Sequence, residues 1–195
     1  AQDLGISVGT LRKALGDLAD KGLLMRVQGS GNYVQVQRDV PSLYSFFRVE
    51  LLSGGGLPTA ELLSVSREAK PGDLPDFGDS AEGHRIRRLR RLSGTPAVLE
   101  EIWLDASYAP EVSARDLSES LYLFYRQRLN LWITRAEDRL TLGPVPEWTP
   151  AAFGPEAGRT SVLVERCAYA QNGARAEVSR SWIDSGVATY VSRLA

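Results

Sequence analysis

Cysteine and histidine are nearly absent from this chain. Among 195 residues there is one cysteine, Cys167, and one histidine, His84. A lone cysteine excludes an intramolecular disulfide framework and suits a reducing cytoplasm. One histidine and one cysteine also argue against a zinc site or a histidine-dependent catalytic triad. Neither a metal nor a cofactor is expected. No stretch of about 18 apolar residues occurs, so no membrane-spanning helix is expected, and no secretory signal is visible. Strong charge is missing too, since the net value is −1. That balance does not announce a nucleic-acid binder. There is no internal repeat and no low-complexity segment.

The 43% apolar content is ordinary for a soluble globular protein, and the length allows one large domain or a small one plus a medium one. The charge is uneven. Residues 1–38 hold five basic side chains (Arg12, Lys13, Lys21, Arg26, Arg38) against three acidic ones (Asp3, Asp17, Asp20), a net +2, which leaves −3 for the remainder. DNA affinity depends on such local charge rather than on the whole-chain value.

The stretch from Ser7 to Gly22 reads as a short amphipathic helix. Ser7 is placed to cap it, Leu11, Ala14, Leu15, Leu18 and Ala19 follow helical spacing, and Gly22 suits its left-handed end. Thr10, Arg12, Lys13 and Asp17 lie on the open side. Leu23 to Val34 then reads as a hairpin with Gly29-Ser30-Gly31-Asn32 at its tip. Such a helix alone fits any protein surface. Followed by a glycine-tipped hairpin, it matches the way a winged helix-turn-helix meets DNA, with residues near the helix start reaching base edges and phosphates.

Leu4-Gly5-Ile6-Ser7, Thr10-Leu11-Arg12-Lys13-Ala14-Leu15, Gly22-Leu23-Leu24, Arg26 and Gln28-Gly29-Ser30-Gly31-Asn32-Tyr33-Val34 resemble the DNA-binding domain of GntR-type bacterial transcription regulators. The resemblance implies DNA contacts at Ser7, Thr10, Arg12, Lys13, Arg26, Gln28, Gly29, Ser30 and Gly31. It begins partway through that domain, which implies that the first helix and part of the second precede this sequence. Gly9 and Ser30 depart from positions where the family often carries basic residues.

Residues 39–44 contain Pro41, lose periodicity and read as a linker between domains at 1–38 and 45–195. Beyond it, strands are expected near residues 60–69, 84–93, 97–104, 131–142, 161–170 and 175–183. A helix is expected over 117–129, a turn at Gly94-Thr95-Pro96, irregular chain or one short helix over 71–83, and a helical turn near 150–153. Asn172-Gly173 marks a hairpin between the last two strands.

In the strand from Arg85 to Leu92, a period of two puts Ile86, Arg88, Arg90 and Leu92 on one face. Glu100 sits in an apolar row with Val98, Ile102 and Leu104, and Glu177 shares a face with Arg175, Ser179 and Ser181. Arg88, Arg90, Glu100 and Glu177 could therefore line one polar pocket suited to a carboxylate or phosphate. Internal Arg–Glu pairs or a solvated cationic strand would fit the same pattern. Cys167 reads as a small core residue, His84 as solvent-facing, and the four tryptophans as core or interface.

Ser45-Phe46, Arg88-Leu89-Arg90, Gly94 with Pro96 and Glu100, Ser120-Leu121-Tyr122, Arg166 with Tyr169, and Glu177-Val178-Ser179 resemble the UTRA effector-binding domain of the HutC branch of GntR regulators. The resemblance implies an α+β fold, with a partial winged helix-turn-helix followed by a chorismate-lyase-like antiparallel sheet domain with helices. It also implies an effector pocket at Ser45, Phe47, Arg88, Arg90, Glu100, Tyr122 and Glu177. Phe47 and Ile183 stand where family members often have hydroxyl side chains. The expected protein is a ligand-responsive cytoplasmic repressor that binds operator DNA as a homodimer and senses a small anionic metabolite. The alternative is a chorismate-lyase-like enzyme acting on a small carboxylate, since fold does not fix function.

Overall fold

The computed structural model describes residues 7–20, 24–27, 31–34, 46–117 and 120–193. The chain divides into two units, Ala1–Ser45 and Phe46–Ala195. In the first, helix α1 spans Val8–Asp20. Ser7 starts it as expected: its hydroxyl accepts from the Thr10 amide at 3.0 Å and lies 2.9 Å from the Thr10 hydroxyl. Strands β1 (Leu24–Val27) and β2 (Gly31–Val34) pair antiparallel, with Arg26 opposite Asn32.

The second unit is built on one antiparallel sheet. β3 (Val49–Leu51) pairs with β10 (Ala188–Tyr190) in a small ribbon. The main sheet holds β4 (Pro58–Ala69), β5 (Glu82–Leu92), β6 (Thr95–Asp105), β7 (Ile133–Pro144), β8 (Thr160–Ala170) and β9 (Arg175–Ile183). Their order is β4-β5-β6-β9-β8-β7. The β5–β6 turn is Ser93-Gly94, with φ of 47° and 84°, and the strand resumes at Thr95 rather than turning through Pro96. Two positive φ values define the tight hairpin turn whose twist matches that of its strands.

Both faces of this sheet are covered, which is why its strands lack a clean alternation of apolar and polar residues. On one face, helix α2 (Leu121–Arg128) packs Leu121, Phe124 and Tyr125 onto Ile86, Ile102, Leu104, Ala168 and Ala176. Further along that face Leu92, Val98, Val164 and Ile183 meet Val49 and Ala188 of the ribbon. The opposite face is covered by the chain at Val145 and Phe153 over Leu89, Leu99 and Trp182, and by Phe77 over Trp103 and Val178. α2 is shorter than the helix expected over 117–129. Ser120 caps it, accepting from the Leu123 amide, so the helix cannot extend back to Leu117.

Asp105 fastens the 71–80 segment. It has no exposed surface, pairs with Lys70 at 2.5 Å, and accepts from the amides of Ser80 and Ser107 and from the Ser107 hydroxyl. The Lys70 ammonium also donates to the Phe77 carbonyl and lies over the Phe77 ring. Gly78 has φ 58°, and a Cβ there would fall 2.1 Å from Cγ of Asp105.

His84 is a correction to its expected solvent exposure. It is 1% exposed and its Nε2 lies 2.8 Å from the Ala109 carbonyl, because the neighbouring segment folds over the end of β5. Trp132 is instead 50% exposed, with Arg126 stacked on it at 5.0 Å. Ala14 is exposed, although its spacing placed it with the apolar side of α1. Cys167 is half-buried and packs at the edge of the Trp103–Val178 cluster. Gly78→Ala is expected to lower unfolding free energy by roughly 2 kcal/mol or more through the displaced Asp105 and the unfavourable backbone. Urea denaturation with unchanged far-UV circular dichroism measures it.

Candidate effector and DNA-binding sites

Register alone explains how the polar side chains of the second unit converge. Arg88 of β5 stands directly opposite Glu100 of β6, and Arg90 is one diagonal step away, opposite Val98. Directly opposed residues share a face and diagonal neighbours are within reach of long side chains. Arg88 Nη2 donates to Glu100 Oε2 at 2.7 Å, while Arg90 donates through Nε to Oε1 at 3.0 Å and through Nη2 to Oε2 at 3.3 Å. All three side chains are buried. Burial pushes the Glu100 carboxyl up, but the two guanidinium groups outweigh it and bring it to about 2.

The same face continues across the sheet. Glu100 stands opposite Ser181, Ile102 opposite Ser179, and Leu104 opposite Glu177. Ser179 in turn faces Arg166, which faces Asp138. Arg166 grips Asp138 with two bonds of 2.6 Å, and the Tyr190 hydroxyl of β10 donates to the same carboxylate at 2.7 Å. Burial and this bond push the Tyr190 hydroxyl up to about 12.

Helix α2 approaches this row from above. Tyr122 and Tyr125, three residues apart and so on one side of the helix, both donate to Glu177, at 3.3 and 2.6 Å. Burial pushes Glu177 above the usual carboxylate range despite these bonds and nearby Arg166 and Arg88. Two buried glutamates of one face thus have opposite characters, Glu100 clamped as an anion and Glu177 pushed toward its neutral form. Phe46 meets Tyr122 edge-on at 5.9 Å, and the Phe47 ring lies 4.9 Å from the Arg90 guanidinium.

Six of the seven expected effector residues, Phe47, Arg88, Arg90, Glu100, Tyr122 and Glu177, are therefore brought together. Ser45 lies outside the described residues. Arg175 does not share the Glu177 face as expected. The β8–β9 register shifts between Ala168 and Tyr169, so that Ala176 is an inserted residue and Arg175 pairs with Tyr169. A bulge reverses the alternation beyond it, and Arg175 instead reaches the Tyr169 hydroxyl and the Asp76 carbonyl. Tyr125, Asp138 and Tyr190 were not singled out for the site from the sequence, Arg166 entered only as a motif residue, and Ser179 only as a motif residue sharing the Glu177 face. The three-residue spacing of Tyr122 and Tyr125 was a readable signal. Pairing of Asp138 with Arg166 needed the register.

In the first unit, Ser7, Thr10, Arg12 and Lys13 are exposed on α1, while Leu11 and Leu15 are half-buried. Gly31 begins β2 and Arg26 lies within β1. The expected contacts at Gln28, Gly29 and Ser30, and the Arg26 side chain, fall outside the described residues. Among the described residues no cluster of histidine, cysteine and acidic side chains could hold a metal, and no helix is long and apolar enough to cross a membrane.

A helix with a two-stranded wing, followed by a sheet domain with a buried polar face, is the architecture of a ligand-responsive DNA-binding regulator. The UTRA domain family matches residues 53–185, and the family of bacterial regulatory proteins of gntR type matches residues 1–34. The chain belongs to the GntR family of transcription regulators, in its UTRA-bearing HutC branch. It is 62% identical over 194 residues to the HTH-type transcriptional regulator SmoD of Agrobacterium fabrum, covering 100% of this chain and 83% of that protein. It is 26% identical over 187 residues to the HTH-type transcriptional repressor NagR of Bacillus subtilis, covering 93% and 76%. The crystal structure of YydK from Bacillus subtilis shares the fold with a TM-score of 0.60 at 20% identity, over 100% of this chain and 86% of that one.

The Glu100 clamp predicts an acid-sensitive core. Its carboxyl lies below the ordinary 4.5, at about 2, so its stabilisation is full above about pH 4.5 and is lost as pH falls toward 2. Glu100→Gln is expected to cost about 3–5 kcal/mol at pH 7, by leaving two buried cations without their carboxylate, and to flatten that pH dependence. Glu177→Gln is expected to change stability far less, because burial already shifts its carboxyl upward and its partners are two neutral phenols rather than buried cations. Denaturation of the three proteins across pH 2–7 checks both expectations.

Proposed function

We propose that this regulator is a repressor that binds operator DNA as a homodimer in the cytoplasm and releases it when a small anionic metabolite enters the Arg88–Glu177 face. The observation that carries the reading is the convergence of Arg88 and Arg90 beside two carboxylates of opposite character. Guanidinium forks suit the planar oxygens of a carboxylate or phosphate. Glu177 and its two phenols suit a hydroxyl or amide on the same molecule. Phe47 and Phe46 supply apolar surface against the ligand body. The Phe47 and Ile183 side chains bring no hydroxyl to this region, which favours a compact or partly apolar anion over a heavily hydroxylated one. Ser7, Thr10, Arg12 and Lys13 of α1 would meet the operator, with Arg26 and the wing tip at residues 28–31.

The site is read as binding rather than catalysing. SmoD and NagR are described as transcription regulators, and α1 with its wing has no use in a small-molecule enzyme. A ligand that prefers one arrangement of the two DNA-binding heads shifts the population toward it and thereby changes operator affinity.

Thermal melts against a panel of phosphorylated and carboxylated metabolites test the reading. A true effector at 100 times its Kd stabilises the native protein by about 2.7 kcal/mol. The same compound is expected to lower operator affinity in fluorescence anisotropy. Arg88→Ala is expected to keep operator binding and lose both responses. Undiminished release of operator from that variant would contradict the pocket assignment.

A further inference from the structure

Three carboxylates, Glu100, Asp138 and Glu177, lie on the polar face among the described residues, and each is held differently. Glu100 is shared by Arg88 and Arg90. Asp138 is gripped twice by Arg166 and once by Tyr190. Glu177 is 3% exposed and makes no ion pair among the described residues. Its bonds come from phenols, Tyr122 to Oε1 at 3.3 Å and Tyr125 to Oε2 at 2.6 Å. An anion that enters this face adds a like charge to these carboxylates. Like charges sharing a buried site raise one another's hold on a proton, and the group least held as an anion takes it. Glu100 and Asp138 are poor takers: burial opposes their charge, but their guanidinium partners outweigh it and lower both. Glu177 alone of the three is shifted upward, by its burial.

We propose that the effector anion binds together with one proton, which Glu177 takes from solvent. This rests on the effector reading above and adds how the charge of the ligand is balanced. A proton on Oε1 leaves the Tyr125 bond to Oε2 in place and turns Oε1 into a donor. Tyr122, whose bond is the longer of the two, then accepts from Oε1 and turns its own hydroxyl toward the anion. The free protein keeps Glu177 as the acceptor of both phenols, and the bound protein uses it to aim one of them.

The other groups around Glu177 fit this assignment. From α2, burial raises both phenols, so they remain protonated donors. β8 places Ala168 opposite Glu177 and Arg166 one diagonal step away. β6 places Leu104 opposite it, and His84 of β5 continues that row, with Arg88 four residues further along β5. Arg166 and Arg88 favour the ionised carboxylate until an anion offsets them. Tyr108 packs on the same apolar cluster, and burial raises its hydroxyl too. His84 is buried, with its Nε2 on the Ala109 carbonyl, and is the rival site for the proton. Because the bound anion strengthens the hold of Glu177 on its proton, the proton strengthens the hold on the anion by the same factor. Affinity is therefore greatest in acid. It falls by at most about tenfold per pH unit, as pH rises from the carboxyl's value in the free protein to its higher value in the bound one.

Thermal melts of the full chain test the link, with acetate or benzoate on the order of 100 mM between about pH 5.5 and 8.5, against sodium chloride of equal ionic strength. Both probes stay ionised throughout that range. The apparent Kd for the unaltered protein is expected to grow with pH, and that of Glu177→Gln, fixed in the neutral form, to stay constant within about twofold. Unbuffered protein at about pH 6 is expected to consume protons when benzoate is added, seen as an alkaline drift. That measurement decides the matter if the variant does not fold. A Kd independent of pH in the unaltered protein, with stabilisation still lost in Arg88→Ala, overturns the proton link and leaves the effector reading intact. A slope that persists in Glu177→Gln puts the proton on another group, His84 first, and also overturns the link. No stabilisation by either probe at any pH overturns both.

Discussion

The ion triad of Arg88, Glu100 and Arg90 constrains the second unit more than any other interaction. Three charges are buried in the middle of a sheet, and charges taken out of water are tolerated only when paired with good geometry. Register supplies that geometry. Arg88 is opposite Glu100, Arg90 is one step along, and the sheet holds their spacing before any side chain moves. The remaining polar groups follow from it: the two serines of β9, the Arg166–Asp138 pair, and the two phenols that descend from α2 onto Glu177. Such a network is costly to leave half-satisfied, so a ligand that enters it must replace the bonds it breaks.

The apolar framework serves this polar row. Leucine, valine, phenylalanine and tryptophan cover the opposite face of the sheet, anchored by Asp105 at one end and by the Val145–Phe153 segment elsewhere. Both faces being covered fixes the strands, and fixed strands keep the guanidinium groups pre-positioned. Preorganised donors bind with less ordering cost than mobile ones. α2 and the Phe46–Phe47 segment then supply the groups that a bound molecule would touch from outside the sheet.

Much of this was legible in the sequence. The alternation through Arg88, Arg90 and Glu100 put the correct side chains on one face, and Asn172-Gly173 marked the hairpin that aligns β8 with β9. What escaped was set by long-range packing. His84 read as exposed because nothing local reveals that Ala109 folds over it. Arg175 was assigned to the wrong face because the inserted Ala176 has no sequence signature. Asp138 and Tyr190 joined the site only through pairings with strands and segments far away along the chain. Family resemblance supplied the UTRA architecture, which periodicity alone could not name.

The central claim is that an effector binds between the arginine pair of β5 and the phenols of α2. Tyrosine-selective NMR during titration with a compound that releases operator DNA tests it most directly. The account predicts that the ring resonances of Tyr122 and Tyr125 shift with saturation while that of Tyr169, bonded to Glu137 on the other face of the sheet, does not. Unperturbed Tyr122 and Tyr125 resonances at full operator release would place the effector elsewhere and contradict the account.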